Sequence, residues 1–552
     1  MTPGRRLLPW ALAVWLTAVV ASFAQTPGEG TPQSPRLPEG HAPVAFQTSH
    51  DCLACHNGLT TASGEDVSIG SAWRASMMAN SSRDPYWQAA VRREVLDHRS
   101  SAREIEDECS ICHMPMATTS SRSAGGHGEV FANLPVGPAA APLARLAADG
   151  VSCTLCHQIG SDRLGTPESF TGGFVLNGVA SNGRPAMLGP FAVDAGRAAL
   201  MESAAGVSPA EASHVRQSEL CATCHTLFTR ALDARGEGAD QFPEQVPYLE
   251  WRHSAFRGER SCQSCHMPPV AEPARMSSVL GELRDGLGRH TFLGGNFFML
   301  RMLNRFRAEL GVEAQPLELE ASARATLRQL QTDTATVAIE AATRDGNELQ
   351  LVVAAANLTG HKLPTGYPSR RAWLHLTVRS DAGQLLFESG AVAPSGAIQG
   401  NDNDADPGRY EPHHDEIRRP DEVQIYEAVM TDGAGAVTTG LLRAVRYVKD
   451  NRLLPRGFDK TTAGPEIAVR GPGAADPDFT DVGDRVRYVV DVAGAALPLH
   501  VDVELRYQPI GFRWADNLRS YDALETRRFV GFFDAMAASS STVLARSAAR
   551  VR

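Results

Sequence analysis

Two rhythms of apolar and polar residues divide this chain. From about residue 333 the period is two. Val337-x-Ile339, Asp345-Gly346-Asn347 and Leu349-x-Leu351-x-Val353 make a hairpin signature, two alternating runs around a turn. Val501 to Tyr507 alternates without a break, as a strand with one buried face must. Leu374-x-Leu376-x-Val378, Val423-x-Ile425 and Val486-x-Tyr488-x-Val490 predict further strands, with turn residues between them. Together they predict an antiparallel β-sandwich of immunoglobulin-like character over residues 333–545. Its last part, Asp516 to Ala545, reads as partly helical and able to pack back on the preceding region.

Before residue 333 the pattern is helical and interrupted. Asp84-Pro85 predicts a helix start, with the helix running through Tyr86, Ala89, Val91 and Val95 toward His98. Asn296 opens another, whose Phe297, Phe298, Leu300, Met302, Leu303, Phe306 and Leu310 recur at helical spacing until Gly311 ends it. Leu317 to Leu330 predicts a third. Gly- and Pro-rich loops fill the rest.

The N-terminus has its own pattern. Arg5 and Arg6, an apolar run from Leu7 to Val20, and Ser22 and Ala24 before Gln25 read as a secretory signal peptide over residues 1–24. The alternative, an uncleaved anchor, is disfavoured because the run is short against the ~20 residues a span needs. Residues 25–45, rich in Pro, Gly, Ser and Thr, read as a disordered lead-in. The expected location is therefore the periplasm or the extracellular side. Net charge is −10 over 552 residues, with no basic block, which argues against nucleic acid. A redox partner is expected to dock through a basic patch, in a membrane-associated electron-transfer complex or free of one.

All ten cysteines fall in five Cys-x-x-Cys-His motifs. They are Cys52, Cys55 and His56; Cys109, Cys112 and His113; Cys153, Cys156 and His157; Cys221, Cys224 and His225; and Cys262, Cys265 and His266. This is the attachment signature of c-type haem. Two thiols at that spacing reach the vinyl groups of one porphyrin edge, and the next histidine offers its imidazole to the iron. Zinc sites need no histidine at that position, thioredoxin-like motifs occur once, and disulfide frameworks suit small secreted domains. The cofactor expected is five covalent haem c groups. Their density makes the porphyrins themselves the core of residues 46–332.

Each iron then needs a second axial ligand, and that choice separates an electron carrier from an enzyme. The candidates are His98, His127, His214, His253 and His290, all within or beside the motif region; His41 and His50 are weaker. Met77, Met78, Met114, Met116 and Met267 also stand near the motifs, and are read first as packing. His361, in Gly360-His361-Lys362-Leu363-Pro364-Thr365-Gly366, is read first as a turn residue, with reach to a haem as the second reading; His413 and His414 are weaker cases of the same kind. Asn401 to Gly408 carries alternating acids that suggest a calcium loop, but the glycine falls one place late and His413 stands where a bidentate Glu belongs. A solvated acidic turn is the preferred reading.

Ser218-Glu219-Leu220-Cys221, Cys262 to Pro268, and Arg289-His290 with Gly294-Gly295-Asn296 give the first half its resemblance. It resembles the multihaem c-type cytochromes related to tetrahaem cytochrome c and hydroxylamine oxidoreductase. The resemblance implies closely stacked, mostly low-spin haems relaying electrons. Five motifs match neither four nor eight, and no cross-linking tyrosine is evident, so hydroxylamine oxidation does not carry over. The region containing Gly360 to Arg371 and Lys449 to Pro455 is similar to a module fused to such cytochromes.

The expected fold class is α+β and multidomain: a haem-packed, mostly helix-and-loop domain over residues 46–332, then an all-β immunoglobulin-like sandwich over 333–545. The expected function is electron transfer by an exported multihaem c-type cytochrome serving respiration. Two alternatives remain. One is an oxidoreductase acting on a small nitrogen or sulfur compound at one open haem, with Arg99, Lys362 or a spare histidine as acid–base group. The other is a structural subunit of an extracellular cytochrome assembly.

Overall fold

Alternation after residue 333 becomes two sheets. Ala335–Asp345 and Glu348–Asn357 pair antiparallel around Gly346, whose φ of 58° suits the tight turn between Asp345 and Glu348. Glu348–Asn357 pairs on its other side with Asp484–Asp491, which takes Glu416–Ile417 as a short parallel neighbour. The second sheet runs Leu385–Ser389, Arg371–Ser380, Leu499–Gln508, Thr542–Val551, with Ile425–Tyr426 also on Arg371–Ser380. Inward residues of both sheets, among them Leu351, Val353, Tyr488, Val490, Leu374, Leu376, Val501 and Val503, share one apolar cluster. A third, smaller sheet of Ala428–Asp432, Val437–Thr438 and Ala444–Asp450 stands beside them.

The computed structural model describes residues 46–137, 141–232 and 238–552; the expected leader, the lead-in and His41 lie outside the described residues. Among these residues no helix is long and apolar enough to cross a membrane. The class is α+β, with helices concentrated before residue 333.

The helix Pro85–Asp97 begins where expected. Asp84 accepts hydrogen bonds from the N–H groups of Tyr86 (2.8 Å) and Trp87 (3.2 Å), satisfying first-turn donors, and Pro85 occupies the position where no donor is needed. The helix opened by Asn296 stops early, at Arg305, and resumes as Arg307–Leu310 before Gly311. Phe306, at the break, stacks on Phe532 with centroids 3.8 Å apart. The next helix is Pro316–Thr332.

The segment after Asp516 packs back as expected. Its helix Leu524–Asp534 lies on Pro85–Asp97, with Phe529 against Tyr86 at 5.0 Å between ring centroids. Arg92 grips Glu525 at 2.9 and 3.1 Å, and the Tyr521 hydroxyl donates to Asp97 at 2.9 Å. From the third sheet's margin, the N–H groups of Leu441 and Leu442 donate to Glu94 at 2.9 and 3.3 Å. The described residues thus pack as one unit.

Candidate functional site

Four Cys-x-x-Cys-His motifs begin in or make a short helical turn, Ser49–Leu53, Cys153–Cys156, Ser218–Ala222 and Cys262–His266, and the second closes the longer helix Ala102–His113. The His56, His157 and His225 N–H groups bond the carbonyls of Cys52 (3.1 Å), Cys153 (3.0 Å) and Cys221 (2.9 Å). Residues three and four apart on a helical turn share a face, so the two thiols and the imidazole of each motif project together.

None of the ten cysteines is in a disulfide, so every thiol is available for a thioether bond. The motifs also approach one another. The thiols of Cys52 and Cys153, of Cys112 and Cys224, and of Cys221 and Cys262 are neighbours that shift one another's acidity. Cys55, Cys109, Cys156 and Cys265 stand outside these pairs, and of them Cys55 and Cys265, the second thiols of the first and last motifs, are held locally. The Cys55 N–H donates to the Cys52 carbonyl at 3.2 Å, and the Cys55 carbonyl accepts from the Ser278 N–H at 2.8 Å and hydroxyl at 3.1 Å. Cys265 Sγ lies 3.9 Å from the hydroxyl of Ser264, its neighbour in the turn. Both are half-buried, like the other eight.

The imidazoles are oriented by the main chain. His56 Nδ1 meets the Met276 carbonyl at 2.6 Å, His113 Nδ1 that of Ser81 at 3.0 Å, and His157 Nδ1 that of Leu188 at 2.6 Å; His266 Nδ1 meets the carbonyl of Leu293. A carbonyl only accepts, so Nδ1 carries the proton and Nε2 keeps a free lone pair. That is the tautomer an iron-ligating imidazole needs. Burial pushes His113 and His225 down to about 4, and lowers His157 and His266, which keeps these rings neutral.

Two further histidines share this state. His290 Nδ1 meets the Gly288 carbonyl at 3.0 Å, and His361 Nδ1 that of Lys362 at 3.0 Å. Burial pushes both down to about 4. His290 lies near-parallel to His157, centroids 6.4 Å apart and planes at 22°. His361 lies near-parallel to His266 at 6.2 Å and 20°. Two imidazoles on opposite sides of one metal, each bonded at about 2 Å, have centroids about 6.3 Å apart.

The other candidates are placed differently. His214 is buried, with Nε2 2.9 Å from the Ile159 carbonyl. His253 Nε2 is 2.9 Å from the Asp459 carbonyl, and His127 Nε2 is 3.8 Å from Glu129. His98 is buried at the end of Pro85–Asp97; its Nε2 has no hydrogen-bond partner and lies 4.0 Å from Glu94. His50 is exposed. Trp87 lies flat on His113, centroids 4.3 Å apart and planes at 3°.

A buried charge network fixes the loop that carries His361. Lys362 Nζ bonds Asp450 at 2.8 Å, Arg452 bonds both oxygens of Asp450 at 2.8 and 2.7 Å, and Arg452 Nη1 reaches Glu250 at 2.9 Å. Burial alone would raise the Asp450 carboxyl, but Arg452 and Lys362 outweigh it and hold it well below the usual range. Glu250, from the helix Pro247–Arg252, also accepts from the Lys362 N–H at 3.1 Å and the Thr365 hydroxyl at 2.5 Å. Gly360 packs closely: a Cβ there would stand 3.2 Å from Phe256, so the ring would have to give by a few tenths of an ångström. Lys362 is thus enclosed in an ion pair rather than offered as an acid–base group, while Arg99 is exposed.

The weaker reading of Asn401 to Gly408, a calcium loop, finds no support, and the preferred solvated turn is in part a paired one. Asp402–Ala405 is a helical turn in which Arg371 takes both oxygens of Asp404 at 2.8 Å and Arg409 takes Asp402 at 2.6 Å. Its carboxylates do not converge on a cation. His413 and His414 meet carboxylates, Asp476 and Glu411, at 2.9 and 2.7 Å.

The donor set fits c-type haem on the structure's own terms: paired thiols and an imidazole on one face of each turn, with Nδ1 tied to a carbonyl in His56, His113, His157 and His266 so that Nε2 stays free. No family model matches the chain, and no curated protein does. Among solved structures, the chain is similar in fold to a penta-heme cytochrome c552 from Thermochromatium tepidum. The two are 16% identical, with 92% of this chain and 100% of that one covered and a TM-score of 0.53.

Proposed function

We propose that this chain is an exported pentahaem c-type cytochrome that transfers electrons, with a C-terminal β-sandwich of immunoglobulin-like character. Ten cysteines anchor five haem c groups, and His56, His113, His157, His225 and His266 are the proximal ligands. His290 and His361 are the distal partners of His157 and His266. The observation that carries this reading is the pair of imidazole–imidazole separations, 6.4 and 6.2 Å, reached by histidines whose Nδ1 atoms are all tied to carbonyls. The likeness in fold to a penta-heme cytochrome supports it.

Bound haem c supplies reversible one-electron chemistry at iron. The chain's own residues hold the imidazoles of His56, His113, His157, His266, His290 and His361 in a fixed tautomer and orientation, and bring neighbouring motifs beside one another. For the other three motifs the distal candidates remain His98, His127, His214 and His253. His98 has an unpartnered Nε2, whereas His214 and His253 would have to release a carbonyl. An acidic protein of this kind suits a basic redox partner outside the cytoplasm.

An oxidoreductase with one open haem is the second reading, and one group favours it. Glu244 is buried and pushed up to about 8 by burial and by Glu94, so it holds a proton at neutral pH near Cys109 and Cys112. Tyr86 and Tyr367, at 5.8 Å between ring centroids, belong to the same buried neighbourhood.

Low-temperature EPR with visible spectra on the oxidised, fully haem-loaded protein decides between the two. Low-spin signals alone, unmoved by cyanide or nitrite, are expected for the electron carrier. A high-spin signal of about one haem that shifts on adding a small ligand would put the oxidoreductase first. Fewer than five haems per chain would overturn the pentahaem reading.

A further inference from the structure

Within the C-terminal half, remote in sequence from every haem motif, acidic side chains crowd around one histidine. His413 Nε2 lies 2.9 Å from Asp476, 3.8 Å from Asp484 Oδ1 and 3.8 Å from Asp415 Oδ1. The side chains of His413 and Asp484 are 0% exposed and that of Asp476 4%, while Asp415, at 73%, opens the cluster to solvent. The Asp478 N–H donates to Asp476 at 2.9 Å, which sets the Asp478 side chain beside the cluster, and burial together with the charges of Asp476 and Asp478 raises the Asp415 carboxyl. Carboxylates in mutual contact repel unless a proton or a cation lies between them.

Two oxygens point to a missing partner. Asp484 Oδ1 is buried with no hydrogen bond, although Oδ2 accepts from Gln424 at 2.9 Å and from the Tyr426 hydroxyl at 2.7 Å. Asp478 Oδ1 is buried and unpartnered too. Burial pushes Asp484 up to about 7. The nearby cations are engaged elsewhere: Arg485 with Glu340 at 2.8 Å, Lys449 with Glu427 at 3.1 Å, and Lys460 with the Asp476 main-chain carbonyl.

The tautomer of His413 selects the kind of cation. Gln424 Nε2 and Asn451 Nδ2 both approach its Nδ1, at 2.9 and 3.0 Å. Neither amide can be turned round. Gln424 Oε1 accepts the His414 N–H at 2.9 Å, and Asn451 accepts the Glu427 N–H at 3.1 Å while donating to the Ile425 carbonyl at 2.9 Å. So Nδ1 accepts, and the neutral ring carries its proton on Nε2, donated to Asp476. That nitrogen has no lone pair for a metal, which disfavours zinc and its relatives. Oxygens alone remain, and an all-carboxylate set with an irregular outline suits a hard, loosely directional ion.

We propose that Asp415, Asp476, Asp478 and Asp484 bind a divalent cation of the calcium class, with His413 as the residue that positions Asp476. The ion clamps the start of Asp484–Asp491 to the segment leading into Glu416–Ile417 and to the Asp476–Asp478 loop. This site is separate from Asn401 to Gly408 and independent of the haem assignments.

Equilibrium dialysis with radioactive calcium tests it on the EDTA-treated, haem-loaded full chain, with thermal unfolding as a second readout. One tightly held calcium per chain, a higher Tm with calcium than with EDTA, and affinity about tenfold or more weaker in Asp484→Asn and in Asp415→Asn are expected. Asp415 is exposed, so its variant should fold even where the buried one does not; an unchanged visible spectrum checks this. No calcium binding by the parent chain, or parent-like binding by Asp415→Asn, would overturn the proposal. Zinc held more tightly than calcium and lost in His413→Ala would overturn the assignment of cation class.

Discussion

In the C-terminal sheets, Leu351, Val353, Leu376, Tyr488 and Val503 come from different strands and meet in one continuous apolar cluster. Between residues 46 and 290 the buried apolar residues form mostly small separate groups, such as Trp87 with Val91, Ile105 and Met114, or Met116 with Leu155 and Ile159. There the chain's own long-range ties are largely polar: imidazoles to carbonyls, and Asp84, Glu94 and Glu250 to backbone donors. A region organised by apolar burial tolerates changes in its polar surface. A region organised by directed bonds does not, because each lost partner leaves a buried group unsatisfied.

That contrast can be broken first at the histidines. His361→Ala and His290→Ala should each convert one low-spin haem signal to high spin in the EPR spectrum of the loaded protein, whereas His500→Ala, on the exposed side of a strand, should leave every signal in place. If His361→Ala alters no haem signal, the link between the halves at this site is structural only.

The network behind His361 gives the next largest effect. Asp450→Asn leaves Lys362 buried without its counter-charge, and should cost about 3–5 kcal/mol in denaturant unfolding. It should also disturb the haem signal that His361→Ala removes. A smaller loss, about 1 kcal/mol, is expected for Asp84→Ala, which strips the cap from Pro85–Asp97; Tm read against the parent measures it.

The smallest effect sharpens the contrast from the sheet side. His375 lies between Glu388 (2.9 Å) and Glu504 (3.7 Å); burial pulls it down, but the two carboxylates outweigh that and raise it above its usual value, against a small opposing push from Arg506. Protons are held more tightly in the fold than in the unfolded chain, so this contribution is full below about pH 6.5 and is lost as pH rises through the elevated value. His375→Gln should flatten the stability profile there by less than about 1 kcal/mol. An unchanged slope would mean that the ring stays neutral.

Much of the sheet half was legible because alternation records burial directly. The hairpin at Gly346 and the 499–508 strand follow from it. The last strand, Thr542–Val551, escaped because it lies at a sheet edge and shows Ala, Ser and Arg rather than large apolar residues. The helix Phe297–Arg305 was legible in its start but not its end, since Phe306 breaks the run through a ring, Phe532, more than two hundred residues away. The five motifs announced themselves by spacing. His361 did not: its relation to His266 is made by a fold, and no local pattern encodes the approach of the two rings. Gly360, Pro364 and Gly366 carried the only hint, a polar Gly/Pro loop in which His361 was read first as a turn residue.

The tie between Glu250 and the Lys362–Thr365 loop bears on how such a protein could be recombined. A graft that replaced everything after residue 333 with a foreign β-module would keep all five thiol turns, yet leave Glu250 without the donors it now serves. A workable exchange would have to carry Glu250, Lys362, Thr365, Asp450 and Arg452 as a set, so the practical seam for swapping modules runs through side chains rather than along the linker.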